Sequence, residues 1–191
     1  MKKGKLFIIS ATSGAGKTTL GRYILDVFPE LKWSVSATTR KKRDGEIDGK
    51  DYFFISQNEF ENKIKTNQFL EYAINHSGGS AKHYGTLRSS IEKTINSGKS
   101  ILCDIDVQGF SQIQKNYSGE VVSIFIKAPS IEIAKKRLIS RGTNSLKQIE
   151  ERLNSAENEL KQQGSYDYII INNDLETAKN EIKKIFKTHL E

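Results

Sequence analysis

Cysteine, proline and long apolar runs are all scarce in this chain. A single cysteine, Cys103, stands among 191 residues, so no internal disulfide can form, and with only three histidines a structural zinc site is not expected. There are two prolines, no low-complexity tract and no internal repeat, and the length suits one compact domain with small insertions rather than a multidomain chain. The apolar run nearest the N-terminus, Leu6 to Ile9, falls short of the about 7 residues of a signal-peptide core. No stretch approaches the about 18 apolar residues of a membrane span. A soluble, cytoplasmic protein with a reduced thiol is expected, and Cys103, on an apolar stretch, reads as packing rather than chemistry.

Positive charge, by contrast, is plentiful. A formal net charge of +7, with 28% of residues charged, favours anionic partners without distinguishing nucleic acid, membrane surface and phosphorylated metabolites. Where the cations sit decides between them.

Short apolar runs recur at Lys5 to Ser10, Ser100 to Ile105, Val121 to Ile126 and Tyr168 to Ile171. Each precedes a helical pattern, respectively Thr18 to Phe28, Gln108 to Asn116, Ser130 to Arg141 and Leu175 to Leu190. Strands alternating with helices predict an α/β fold with a parallel sheet covered on both faces. Two segments break the rhythm. Ser36 to Arg88, rich in charge, Gly and Tyr, reads as an inserted lobe with strands at Tyr52 to Ile55 and Phe69 to Asn75 and a helix from Gln57 to Thr66. Gly142 to Ile149 reads as a polar connection suited to a mobile lid.

The first strand leads into Ser10-Ala11-Thr12-Ser13-Gly14-Ala15-Gly16-Lys17-Thr18-Thr19, which opens a helix. This matches the phosphate-loop pattern G-x-x-x-x-G-K-[ST] at Gly16, Lys17 and Thr18, with Ala11 in place of the first glycine. The physics survives that departure: Gly14 and Gly16 let successive N–H groups turn toward phosphate oxygens at a helix N-terminus. In that role Lys17 reaches the β- and γ-phosphates, and the Thr18 hydroxyl is a candidate Mg²⁺ ligand. The second half of such a site should be acidic, and Ile101-Leu102-Cys103-Asp104-Ile105-Asp106 offers two carboxylates that strand alternation would put on one side. Unpaired at the end of an apolar strand they would be costly, so a hydrated Mg²⁺ or a substrate N–H is expected near them. Capping of the following helix is the plainer explanation for either.

The run Ser34 to Tyr52 is too basic and too rich in hydroxyls for a core element. Alone it would pass for a solvated loop, although two arginine forks flanked by Tyr and Ser also suit one phosphate. This run strongly resembles the GMP-binding signature of the guanylate kinases. So, in the same order along nearly the whole chain, do Ser10 to Thr19, Phe69-Leu70-Glu71-Tyr72, Tyr84-Gly85-Thr86, Asp104 to Gly109, Arg137 to Gly142 and Tyr166 to Asp174.

The resemblance implies a phosphate-loop nucleoside monophosphate kinase of one domain. Its core would be 1–35, 87–141 and 153–191, with a GMP-binding lobe at 36–86 and a lid at 142–152. ATP would be held by Ala11 to Thr19, Arg137 and Arg141. Arg40, Arg43, Tyr52 and Tyr84 would hold the GMP phosphate, while Ser36, Glu71, Thr86 and Asp106 would read the guanine. Lys17, Arg43, Arg141 and Arg152 would serve the group in flight, and Mg²⁺ would sit on Thr18 with Asp104 acting through water. The residue chemistry agrees on Glu71: guanine presents N1–H and N2–H₂ on one edge, which an ionised carboxylate accepts together and adenine cannot supply.

One segment departs from the family pattern. Ile74 to His83 is longer than usual, and His83 stands where a tyrosine commonly precedes Tyr84; a solvated loop position without catalytic duty is expected for it. His76 and His189 show no partners that suggest a metal or a proton relay. ATP and GMP or dGMP are the expected partners, with no nucleic acid and no membrane. Three other readings are weaker. A phosphopeptide-binding module would not need Lys17, Thr18 and the acidic strand end; a kinase for another nucleotide would not need Glu71 and Thr86; a nucleic-acid binder would show an aromatic platform or recognition helix.

Overall fold

The computed structural model describes residues 3–75, 81–142 and 145–191. In chain order the elements begin β1 (Leu6–Ala11), α1 (Lys17–Val27), β2 (Lys32–Trp33), β3 (Ala37–Thr38), β4 (Phe53–Phe54), α2 (Gln57–Lys65), β5 (Phe69–Asn75), β6 (Lys82–Leu87) and α3 (Arg88–Asn96). They continue with β7 (Ile101–Asp104), α4 (Val107–Asn116), β8 (Val121–Lys127), α5 (Ile131–Ser140), α6 (Leu146–Lys161), a 3-10 turn (Gln163–Ser165), β9 (Tyr168–Ile171) and α7 (Leu175–Leu190). The fold is α/β. Contacts gather these elements into two units, one of Met1–Leu6 with Lys32–Glu120, the other of Phe7–Leu31 with Val121–Glu191.

The second unit is built on β1, β8 and β9 in that order, with β8 and β9 parallel and Ile124 opposite Tyr168. β1 and β8 are apolar and buried along almost their whole length, as parallel strands covered on both faces require, whereas β9 at the sheet edge leaves Ile169 and Ile171 exposed. Phe7, on β1, stacks on Phe186 of α7 at 4.4 Å between ring centres, and Phe28 closes the same cluster. Ser130, Ser145 and Asp174 cap α5, α6 and α7 through their side chains. α1 has no side-chain cap, and its N-cap is Gly16 in the left-handed region, φ +94°. Its first N–H groups are thus not served by a capping side chain at that position.

In the first unit, β2 pairs in parallel with β7, and the Ile101 N–H donates to the Lys5 carbonyl at 3.0 Å. A second sheet runs β4-β3-β6-β5, with β3 and β4 parallel and β6 antiparallel to both β3 and β5. Its own small core is Ala37, Phe60 and Phe69, packed by Phe53, Ile55, Ile64, Tyr72 and Leu87. α2 is fixed at its start by a reciprocal capping box between Ser56 and Glu59.

Three sequence expectations need correction. The polar connection Gly142 to Ile149 is shorter than read, because Ser145 and Gln148 form a capping box that starts α6 at Leu146; residues 143 and 144 lie outside the described set. Lys82 and His83 belong to β6 rather than to a loop, while Ile74 and Asn75 end β5 where a strand is expected, and His76 falls outside the described residues. His83 is not a solvated loop residue. It is 8% exposed, its ring centre 5.3 Å from that of Phe60, with Thr39 Oγ1 3.5 Å from Nδ1 and Gln57 Nε2 3.4 Å from Nε2. It packs as the aromatic it replaces would.

Candidate functional site

The phosphate loop is a tight backbone structure inside the second unit. Thr12 N–H donates to the Ile126 carbonyl at 3.1 Å, tying the loop to β8, and Ala15 N–H turns back to the Thr12 carbonyl at 3.1 Å. Ala11 ends β1 and Ser13 is half-buried, so the missing first glycine leaves the loop intact. Gly14 and Gly16 carry φ of +81° and +94°, and a Cβ on Gly14 would come within 2.7 Å of the Ala134 carbonyl oxygen. Asn172, 4% exposed at the end of β9, donates from Nδ2 to the Ala15 carbonyl at 2.7 Å and occupies the space a side chain at Gly16 would need. Lys17, Thr18 and Thr19 form the first turn of α1, with both threonines exposed.

Of the arginines in this unit, Arg137 is half-buried on α5 and donates to the Asn173 carbonyl at 3.4 Å. Arg141 is the exposed C-cap of α5, and Arg152 is exposed on α6. Arg141 and Arg152 thus carry their charge on the exposed surface of this unit.

The first unit holds the other residues. Arg40, just past β3, is 8% exposed and far from a solvated-loop residue. Its guanidinium makes a two-pronged pair with Glu46, Nη1 to Oε2 at 2.9 Å and Nη2 to Oε1 at 2.7 Å, and lies 5.2 Å from the Tyr52 ring centre and 5.6 Å from that of Phe54. The hydrogen bond from Arg40, helped by the Arg43 N–H at 2.8 Å, holds the Glu46 carboxyl down at about 2. The Arg40 guanidinium is in turn pushed above its ordinary value. Tyr52 and Tyr84 stand edge to face with centres 6.0 Å apart, and Arg43 is exposed. Glu46 escaped the sequence reading; the signal was an acidic residue set inside a basic run.

Glu71 and Thr86 face each other across β5 and β6, and the Thr86 hydroxyl donates to Glu71 Oε1 at 2.5 Å. Glu71 is 6% exposed, and burial pushes its carboxyl up to about 7, with the charges of Asp106 and Asp104 acting in the same direction. Thr86 and Tyr84 lie two residues apart on β6, so the expected base-reading and phosphate-holding side chains share one strand. Ser36 is half-buried before β3, and its carbonyl accepts from Phe53 N–H at 2.9 Å.

The acidic pair lies at the end of β7 and just past it, and both charges act on Glu71. β7 stops at Asp104, which is half-buried, and the exposed Asp106 lies past the strand end as N-cap of α4, accepting the Gly109 N–H at 2.8 Å. Asp106 is thus a cap, as the plainer explanation has it. Cys103 packs in the interior, 1% exposed, and burial pushes its thiol up to about 12. His189 on α7 hydrogen-bonds the Tyr168 hydroxyl at 2.9 Å, a structural contact. Among the described residues no cluster of three His, Cys, Asp or Glu could cage a metal, and no helix is long and apolar enough to cross a membrane.

Comparison with known proteins is consistent along the whole chain. A family profile described as guanylate kinase matches residues 3–189. Guanylate kinase from Helicobacter pylori is 45% identical over 183 residues, covering 96% of this chain and 86% of the relative. Guanylate kinase from Geobacter sulfurreducens is 44% identical over 184 residues, covering 96% and 88%. Among solved structures, guanylate kinase from Anaplasma phagocytophilum superposes with a TM-score of 0.74 at 30% identity, covering 100% of this chain and 89% of that one.

Proposed function

The chain belongs to the guanylate kinase family, and from that premise we propose how its residues divide the work of moving the γ-phosphoryl group of ATP onto GMP or dGMP, giving ADP and GDP. The activity is that of a nucleoside monophosphate kinase. What carries the assignment of residues is the buried Glu71–Thr86 pair on β5 and β6, with Tyr84 on β6 two residues from Thr86 and edge to face with Tyr52 of the Arg40 cluster.

Glu71, with Thr86, Ser36 and Asp106, reads guanine. A carboxylate that is 6% exposed has little water to fall back on, so a base that cannot donate two N–H groups leaves it unsatisfied and is rejected. Arg40, Arg43, Tyr52 and Tyr84 hold the phosphate. In the second unit the loop Ala11 to Thr19 and the N-terminus of α1 hold the ATP phosphates, with Lys17, Arg137, Arg141 and Arg152 offsetting their charge.

Phosphoryl transfer needs alignment and neutralisation more than covalent help. The attacking oxygen belongs to a phosphate whose second pKa is near 6, so it is mostly deprotonated at neutral pH and no side chain has to take its proton. Thr18, an exposed hydroxyl at a helix start, would be the residue of this unit that holds Mg²⁺, an ion that keeps several waters of its own. When bound, it neutralises charge on the β- and γ-oxygens. The division into core (1–35, 87–141, 153–191), GMP lobe (36–86) and lid (142–152) belongs to the same proposal, as does a cytoplasmic setting, which suits a lone buried thiol.

A coupled assay of ADP release with ATP and GMP, dGMP, AMP, UMP or CMP tests the reading. Turnover with GMP and dGMP alone is expected. Turnover with AMP and not GMP overturns the role of Glu71.

A further inference from the structure

Glu71 sits on β5, the outer strand of its four-stranded sheet, immediately after an irregularity in register between Phe69 and Glu71. Such a strand is poorly specified. A bulge offers a neighbouring register, a slip of one residue turns every side chain to the other face, and an outer strand has no second ladder to hold it.

A helix side chain supplies that hold. Gln112 on α4 turns its amide to the backbone of Tyr72, the residue after Glu71: Nε2 donates to the Tyr72 carbonyl at 2.6 Å, and Oε1 accepts the Tyr72 N–H at 3.2 Å. The pair of bonds is what one residue of a further strand would make. Three residues earlier, on the same face of the helix, Gly109 backs onto Glu71. A Cβ there would overlap Glu71 Oε2 and lie 2.7 Å from Ile105 Cγ2. The Gly109 N–H is itself fixed by Asp106 at 2.8 Å.

We propose that Gln112 is a positioning residue for base selection, holding β5 in the register that turns Glu71 toward Thr86, with Gly109 as the flat surface against which the carboxyl rests. The inference rests on the reading that Glu71 accepts the guanine N–H groups. It adds that the selectivity of Glu71 depends on an amide that touches no substrate.

The experiment compares kcat/KM for GMP with that for inosine monophosphate, which keeps N1–H and lacks the 2-amino group, in wild type, Gln112→Met and Glu71→Gln. For Gln112→Met the GMP value is expected to fall about tenfold and the GMP-to-IMP ratio about fivefold, with KM for ATP unchanged, as expected when a buried acceptor is misplaced. A loss that lowers both nucleotides equally, or moves KM for ATP as much as KM for GMP, reduces Gln112 to packing and overturns the proposal. If Glu71→Gln leaves the ratio untouched, the reading of Glu71 fails instead. Should Gln112→Met not fold, Gln112→Glu, which keeps the acceptor and loses the donor, is judged by the same ratio.

Discussion

A carboxyl that titrates near neutrality and must be ionised to accept two N–H groups makes GMP affinity depend on pH. Burial holds Glu71 at about 7, so in the free protein roughly half of it is ionised at pH 7 and about one part in eleven at pH 6. Apparent affinity scales with the competent fraction. The GMP dissociation constant should therefore weaken about tenfold between pH 8 and pH 6 on account of Glu71. The GMP phosphate, with a second pKa near 6, adds no more than about twofold at pH 6. Titration calorimetry at pH 7 in two buffers of different ionisation enthalpy should register release of about half a proton per GMP bound, falling to about a tenth at pH 8. Glu71→Gln separates the two sources, since its remaining pH dependence is that of the phosphate. A wild-type constant that changes no more than that of Glu71→Gln over this range would refute the assignment of the titrating group.

Three further outcomes are expected. Because the folded pKa of Glu71 lies above the ordinary carboxyl value of 4.5, its contribution to stability is complete below about 4.5 and lost as pH rises through about 7; the nucleotide-free melting temperature of Glu71→Gln should exceed that of wild type by a margin that grows from pH 5 to pH 8. Arg43→Ala and Arg141→Ala should each lower kcat by about 10²-fold or more with circular dichroism unchanged, as for loss of a charge clamp, and near-normal turnover in both would remove them from the catalytic set. Gly16→Ala forces a side chain into φ +94° and against Asn172 Nδ2, 2.5 Å away, so kcat/KM for ATP should fall by about 10²-fold in steady-state assays, while calorimetric GMP affinity stays within about twofold.

Legibility from the sequence followed the range of the forces involved. β9, β5 and α7 end where their apolar periodicity ends, because burial acts on a pattern that is local in the chain. β4 falls within the strand expected at Tyr52 to Ile55, whereas β3, two residues long, exists through its pairing of Ala37 and Thr38 with Phe53 and Phe54, which no local pattern encodes. Asp106 lies two residues past the end of β7, where its bond to the Gly109 N–H, a helix-cap contact across three residues, adds to what strand alternation says of it. In the site, Lys17, Glu71 and Thr86 announce themselves by residue type. Glu46, Asn172 and Gln112 act on a backbone group or on another side chain, so their residue types carry no mark of the task and only the folded distances reveal it.

The pairing of Arg40 with Glu46, between two aromatic rings, bears on the thermodynamics of recognition. A long cationic side chain ordinarily gives up its rotamer freedom when it meets an anion, and that loss weakens binding. Arg40 has given it up already, during folding, to an anion from six residues along its own chain. For the proposed role of Arg40 on the GMP phosphate, the entropic cost is thereby carried by the stability of the lobe rather than by each binding event.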